Sequence, residues 1–104
     1  MNTVIEMVSF KLSAGVTEQD LLAATKQSHA FVAGLDGFQY RSLSYNEASQ
    51  TWTDIVYWQS METAKAAAEA FMASADCQAL IALIDKDSVV MQHQTVQFSS
   101  CDAA

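Results

Sequence analysis

The chain has 104 residues, 51% hydrophobic and 16% charged, with a net charge of −7: room for one domain (1–104) with one modest core, and too apolar for disorder. No apolar run approaches the roughly 20 residues of a membrane span. The cations Lys11, Lys26, Arg41, Lys65 and Lys86 are scattered singly, so neither nucleic-acid phosphates nor anionic lipids meet a basic patch, and neither is expected as a partner.

The opening MNTVIEMVSFKL has no basic lead and holds Glu6 inside its apolar run, so it does not read as a signal peptide; a cytoplasmic protein is the default. Within it, residues 3–12 form a strand of β-branched and aromatic residues. SAG breaks the strand. Thr17 then caps a helix, with Glu18 and Asp20 in its first turn and Asp20 near the capping-box position. Leu21, Ala24, Ser28, Phe31, Val32 and Leu35 recur at helical spacing as the buried stripe, and Gly34 and Gly37 end the helix.

FQYRSLSYN (38–46) and TWTDIVYWQ (51–59) read as strands joined by the hairpin-length loop NEASQ. Ser60 caps a second helix whose inner stripe is Met61, Ala64, Ala68, Phe71 and Met72. DCQALIALI (76–84) is a short third helix, with Cys77 on its apolar stripe beside Leu80, Ile81 and Ile84. SVVMQHQTVQF (88–98) is the last strand. The two cysteines, Cys77 and Cys101, make no disulfide framework and match no zinc spacing.

The order β-α-β-β-α-(α)-β predicts an α+β, ferredoxin-like split βαβ domain with core 3–98, an antiparallel sheet in order 4-1-3-2 and both main helices on one face. The other face is then uncovered. Yet both alternating sets of the third strand carry large residues, Trp52, Val56 and Trp58 on one and Ile55 and Tyr57 on the other. A second copy packed sheet to sheet is the simplest cover, so a homodimer is expected.

FKLSAGVTEQDLL, GFQYRSLSY, TWTDIVYWQSMETAKAAAEAF and SVVMQHQTVQF together resemble the dimeric α/β-barrel superfamily, and within it the antibiotic-biosynthesis-monooxygenase-like proteins, over roughly residues 3–98. The resemblance implies a cavity between sheet and helices in each subunit. In characterised relatives such cavities host cofactor-independent oxygenation of polycyclic phenols or quinols, haem breakdown, or isomerisation of small lactones, and other members have no known activity. Oxygenation asks the protein only to bind an aromatic, remove a proton and exclude water. Haem breakdown in that group uses an asparagine on the first strand and a histidine on the second helix. Here those places offer Glu6 and SMETAKAAAEAF, so it is disfavoured. SAG also lacks the proline that often precedes the glycine in relatives.

Glu6, His93 and Asp54 fall near the middles of strands that order 4-1-3-2 makes neighbours. A carboxylate beside an imidazole across one strand pair orients it and raises its basicity, so the catalytic candidates are His93 as base and Glu6 as its orienting partner. The other reading of the pair is a structural hydrogen bond with His93 at the dimer surface. Which face they share is open, because a one-residue slip reverses it. Asp54, Trp58, Phe71, Arg41 and Met91 are the substrate-binding candidates. Asp54 and Arg41 can equally form a plain ion pair, and Trp58 can be packing. Tyr57 and Tyr45 carry the same ambiguity. His29 stands at the boundary of its helix stripe. No metal set, no phosphate loop and no marked nucleophilic serine is present, and no cofactor is expected. The resulting reading is a monooxygenase-like homodimer acting on a small aromatic or quinol. The alternatives are a dimer of the same fold that only binds such a molecule, and one whose sheet face serves packing alone.

Overall fold

Each segment read as regular structure forms it, and local hydrogen bonds set the boundaries. The computed structural model describes residues 3–100; Cys101 lies outside them. The order is β1 (Val4–Phe10), α1 (Glu18–Ala33), β2 (Phe38–Asn46), β3 (Thr51–Trp58), α2 (Met61–Ala73), α3 (Ala75–Leu83), a 3₁₀ turn (Lys86–Ser88) and β4 (Val90–Thr95).

The first strand ends two residues earlier and the last begins two residues later than the sequence suggests, for one shared reason; at their other ends Thr3 and residues 96–98 also fall outside the strands. Lys11 N–H donates to Ser88 Oγ at 2.8 Å and Lys11 O accepts from Asp85 N–H at 2.9 Å. These bonds pull Lys11 out of β1 and commit Ser88 to the turn. Leu12 returns for a single bridge to Ile84.

Both long helices begin with reciprocal caps. Thr17 Oγ1 accepts from Asp20 N–H, and Asp20 Oδ2 accepts from Thr17 N–H, each at 3.1 Å; Ser60 and Thr63 repeat the exchange for α2. Each such cap is worth about 1 kcal/mol. Gly34 caps α1 at an ordinary φ of −88°. The obligatory glycine is Gly37, at φ +82°, where a Cβ would fall 2.5 Å from Thr63 Oγ1. The α1–β2 turn therefore presses against the first turn of α2.

The sheet is antiparallel in the order β2-β3-β1-β4, the 4-1-3-2 arrangement of a ferredoxin-like fold. On its covered face, Val4, Val56 and Trp58 pack with Val32, Ala64 and Ala67, while Phe10 and Trp52 pack with Leu21, Ala24 and Leu80. Alanine on α2 lets that helix sit close to the strands. Its stripe is rotated from the one predicted: Ala67 is buried, and Met72 is 63% exposed. The helix stops at Ala73 and α3 leaves at 84°, so the last turn of α2 lies at the rim of the core. Among the described residues no single helix is long and apolar enough to cross a membrane.

The opposite face pairs Ile5 with Tyr57, Met7 with Ile55 and Tyr40 with Tyr57. None of these residues belongs to either core cluster. Tyr40 and Val90 are more than half exposed. No helix among the described residues covers this face.

Candidate functional site

Parity along the strands decides what faces the helices. Glu6 is in phase with Val4, Val8 and Phe10 on β1, and Asp54 with Trp52, Val56 and Trp58 on β3. Both acids therefore point to the covered side, into a cavity of about 290 Å³ between sheet and helices. Glu6, Arg41, Asp54, Trp58, Phe71 and Met91 all line this cavity; His93 does not.

Glu6 stands directly opposite His93 in the β1–β4 register. Glu6 Oε2 lies 3.0 Å from His93 Nε2, and the two side chains are 14% and 19% exposed. Burial raises the Glu6 pKa above the ordinary carboxylate value and outweighs the charge and hydrogen bond of His93, which pull it down; Asp54 adds to the rise and Arg41 offsets it. Glu6 is thus the member of the pair that faces the cavity. His93 stands on the edge strand and does not line the cavity.

Asp54 has a different partner. Arg41 Nε donates to Oδ1 at 3.1 Å and Arg41 Nη2 to Oδ2 at 2.7 Å, a bidentate pair with side chains 5% and 14% exposed. The third arm, Nη1, donates to the fully buried Ser28 Oγ at 3.2 Å. A β-bulge between Phe38 and Tyr40 makes this possible. Regular alternation from Phe38 would send Arg41 to the open face; the extra residue turns it inward.

Trp58 is 2% exposed and its Nε1 is buried without a hydrogen-bond partner, although the indole lines the cavity. A buried, unpaired N–H is costly unless a ligand supplies the acceptor. Phe71 forms part of the wall, and Met91, 52% exposed, stands at the rim. The remaining candidates lie elsewhere. Tyr57 is on the open face, Tyr45 is tilted against Trp52 with ring centroids 4.5 Å apart, and the exposed His29 meets the edge of Phe38. Cys77 is fully buried, which pushes its thiol pKa up and leaves it unreactive. Among the described residues no three His, Cys, Asp or Glu side chains converge to hold a metal ion.

The sequence reading counts Ser28 as packing and passes over Lys86, which lines the cavity. A serine on an otherwise apolar stripe is the signal that marks Ser28. Nothing local marks Lys86.

No protein-family description matches the sequence, and no curated protein does. Solved structures do match. A variant of SnoaB, a cofactor-independent oxygenase from Streptomyces nogalater, superposes with a TM-score of 0.75 at 16% identity, over 98% of this chain and 100% of that one. A Bordetella bronchiseptica protein described as a candidate antibiotic biosynthesis monooxygenase gives 0.72 at 20% identity, over 94% and 100%. Rv0793 from Mycobacterium tuberculosis gives 0.70 at 12%, over 95% and 99%. The chain has the fold of the antibiotic-biosynthesis-monooxygenase-like proteins.

Proposed function

We propose that the protein is a cofactor-independent, monooxygenase-like enzyme, working as a homodimer, whose cavity takes a small aromatic of the quinol or anthrone type. One observation carries this reading: a mostly apolar cavity is lined by a buried carboxylate of raised pKa whose charge is not matched as that of Asp54 is, and by a tryptophan whose indole N–H has no partner. Its neighbour in fold, SnoaB, is a cofactor-independent oxygenase, which supports the class of chemistry.

Glu6 acts as the proton acceptor, and His93 fixes its carboxylate through the Oε2–Nε2 contact. This exchanges the roles that the sequence suggests, because Glu6 is the group that lines the cavity. Trp58 Nε1–H donates to the substrate oxygen and stabilises the negative charge that deprotonation places there. Arg41 and Asp54 neutralise each other and hold the wall.

For an anthrone the steps balance. Glu6 takes one proton from the ring CH₂, and the resulting anion passes one electron to O₂. The carbon radical and superoxide then combine, forming the C–O bond of a peroxide. Glu6 returns its proton to the outer oxygen as the O–O bond breaks and the second C–H proton leaves. The products are a quinone carbonyl and one water, with carbon oxidised by four electrons and O₂ reduced by four.

The uncovered face carrying Ile5, Met7, Tyr40, Ile55 and Tyr57 is the surface on which a second copy packs. Ile55→Glu is expected to yield monomers by sedimentation; an unchanged assembly counts against sheet-to-sheet packing.

The test of activity is oxygen uptake against a panel of anthrones and quinols in chelator-treated buffer. One O₂ consumed per quinone formed is expected, and Glu6→Gln is expected to slow it about 10²- to 10⁴-fold. No turnover on any panel member overturns the oxygenase reading for those substrates.

A further inference from the structure

We infer that the outer end of the cavity is an anion subsite built on Lys86, so that the ligand is an elongated aromatic acid with its anionic group at the end opposite the oxygen that meets Trp58. This rests on the cavity being a ligand site, as proposed above, and adds the class of ligand.

Two cations line the cavity, Arg41 and Lys86. Arg41 has all three arms engaged, two on Asp54 and one on Ser28. Lys86 makes no ion pair among the described residues. The acids that flank it in sequence do not reach it as ion-pair partners. Asp85 instead caps the turn, its Oδ1 accepting from Asp87 N–H at 3.1 Å.

The turn that carries Lys86 is fastened. Asp85 N–H donates to Lys11 O, Lys11 N–H to Ser88 Oγ, and Ser88 N–H to Asp85 O at 3.0 Å. Lys86 is thereby held beside Lys11, one residue beyond the end of β1. Glu6 lies five residues back along that strand and Trp58 is opposite Val4. At ~3.3 Å per residue the two ends of the cavity are roughly 16 to 23 Å apart in backbone position. The lysine side chain reaches back over part of that span.

Between these ends Val8, Phe71, Ile81, Ile84 and Val89 line the cavity, with Asp54 opposite Val8 and its charge matched by Arg41. The cavity is therefore polarised along its length. One end offers a carboxylate and an indole N–H, the middle offers apolar walls and an ion pair that is already neutralised, and the other end offers a cation with no ion-pair partner among the described residues. A neutral ligand would leave that cation unused. A chain of net charge −7 repels anions at long range, so an anionic ligand needs a local cation where it enters.

The test uses two fluorescent probes with the same aromatic body, 1-anilinonaphthalene-8-sulfonate and the uncharged N-phenyl-1-naphthylamine, titrated into the full chain. Mutual displacement, and weakening of both by the cavity-filling Ala68→Leu, would place them in the cavity. Lys86→Gln is expected to weaken the sulfonate about threefold and Lys86→Glu about tenfold, with the uncharged probe unchanged and Lys11→Gln without effect on either. Added salt should weaken only the sulfonate. Sulfonate binding that is indifferent to Lys86→Glu while the uncharged probe still binds overturns the anion subsite and leaves the cavity reading standing. Failure of both probes to bind, or binding that ignores Ala68→Leu, overturns the cavity reading and the subsite with it.

Discussion

Two carboxylates stand on the same covered face of the sheet, one strand apart, and the protein treats them in opposite ways. Asp54 receives both forks of Arg41, and the guanidinium is in turn tied to Ser28. Glu6 receives one imidazole nitrogen, and burial dominates its titration. The first acid has its charge matched and its lone pairs occupied. The second is left partly unsatisfied beside a cavity. A saturated pair fixes geometry, whereas an under-satisfied carboxylate is available to move a proton.

The largest expected effect lies on the saturated side. Asp54→Ala leaves Arg41 charged and buried without its partner, and should cost about 3 to 5 kcal/mol of unfolding free energy in urea. Glu6→Gln should cost less than about 1.5 kcal/mol in the same measurement, since a neutral amide can still meet His93. Equal losses for the two variants would remove the distinction between the pairs.

A smaller effect concerns Ser28. Ser28→Ala leaves Arg41 Nη1 without its acceptor, and should cost about 1 to 3 kcal/mol. Ser28→Thr, which retains a hydroxyl, should recover part of that loss. A neutral Ser28→Ala would show that the third arm contributes nothing.

The smallest effect is a pH dependence. The folded Glu6 pKa is raised, so the native state holds this proton more tightly than the unfolded chain. Its contribution to stability is complete below the unfolded carboxylate pKa and is lost as pH rises through the folded value. The stability of the wild type relative to Glu6→Gln should therefore decline across that window and level off above it. A difference that grows with pH would mean that the histidine pair lowers the Glu6 pKa instead.

Much of this contrast is legible in the sequence. The periodicity of Val4, Val8 and Phe10 already puts Glu6 on their side, and Trp52, Val56 and Trp58 do the same for Asp54. Strand order makes Glu6 and His93 neighbours. The need of Asp54 for a partner points to Arg41, and the pair forms, but alternation does not give the facing of Arg41, because the bulge between Phe38 and Tyr40 carries no glycine to announce it and reverses the parity of everything after it. The placement of Lys86 is equally hidden, since it depends on hydrogen bonds that tie Asp85 and Ser88 to Lys11, more than seventy residues earlier. The position of the helices decides that Glu6 lines the cavity and His93 does not, and alternation alone does not report it.

The most direct measurement of the central claim, that Glu6 is the proton acceptor with His93 behind it, is the pH dependence of kcat/KM for wild type and His93→Gln on one turned-over anthrone or quinol. In the wild type the rate should rise with pH through an apparent pKa above the ordinary glutamate value. In His93→Gln that rise should persist and move to higher pH, because the charge that lowers the Glu6 pKa is gone. Disappearance of the rise in His93→Gln would assign the proton acceptor to His93 and contradict the account.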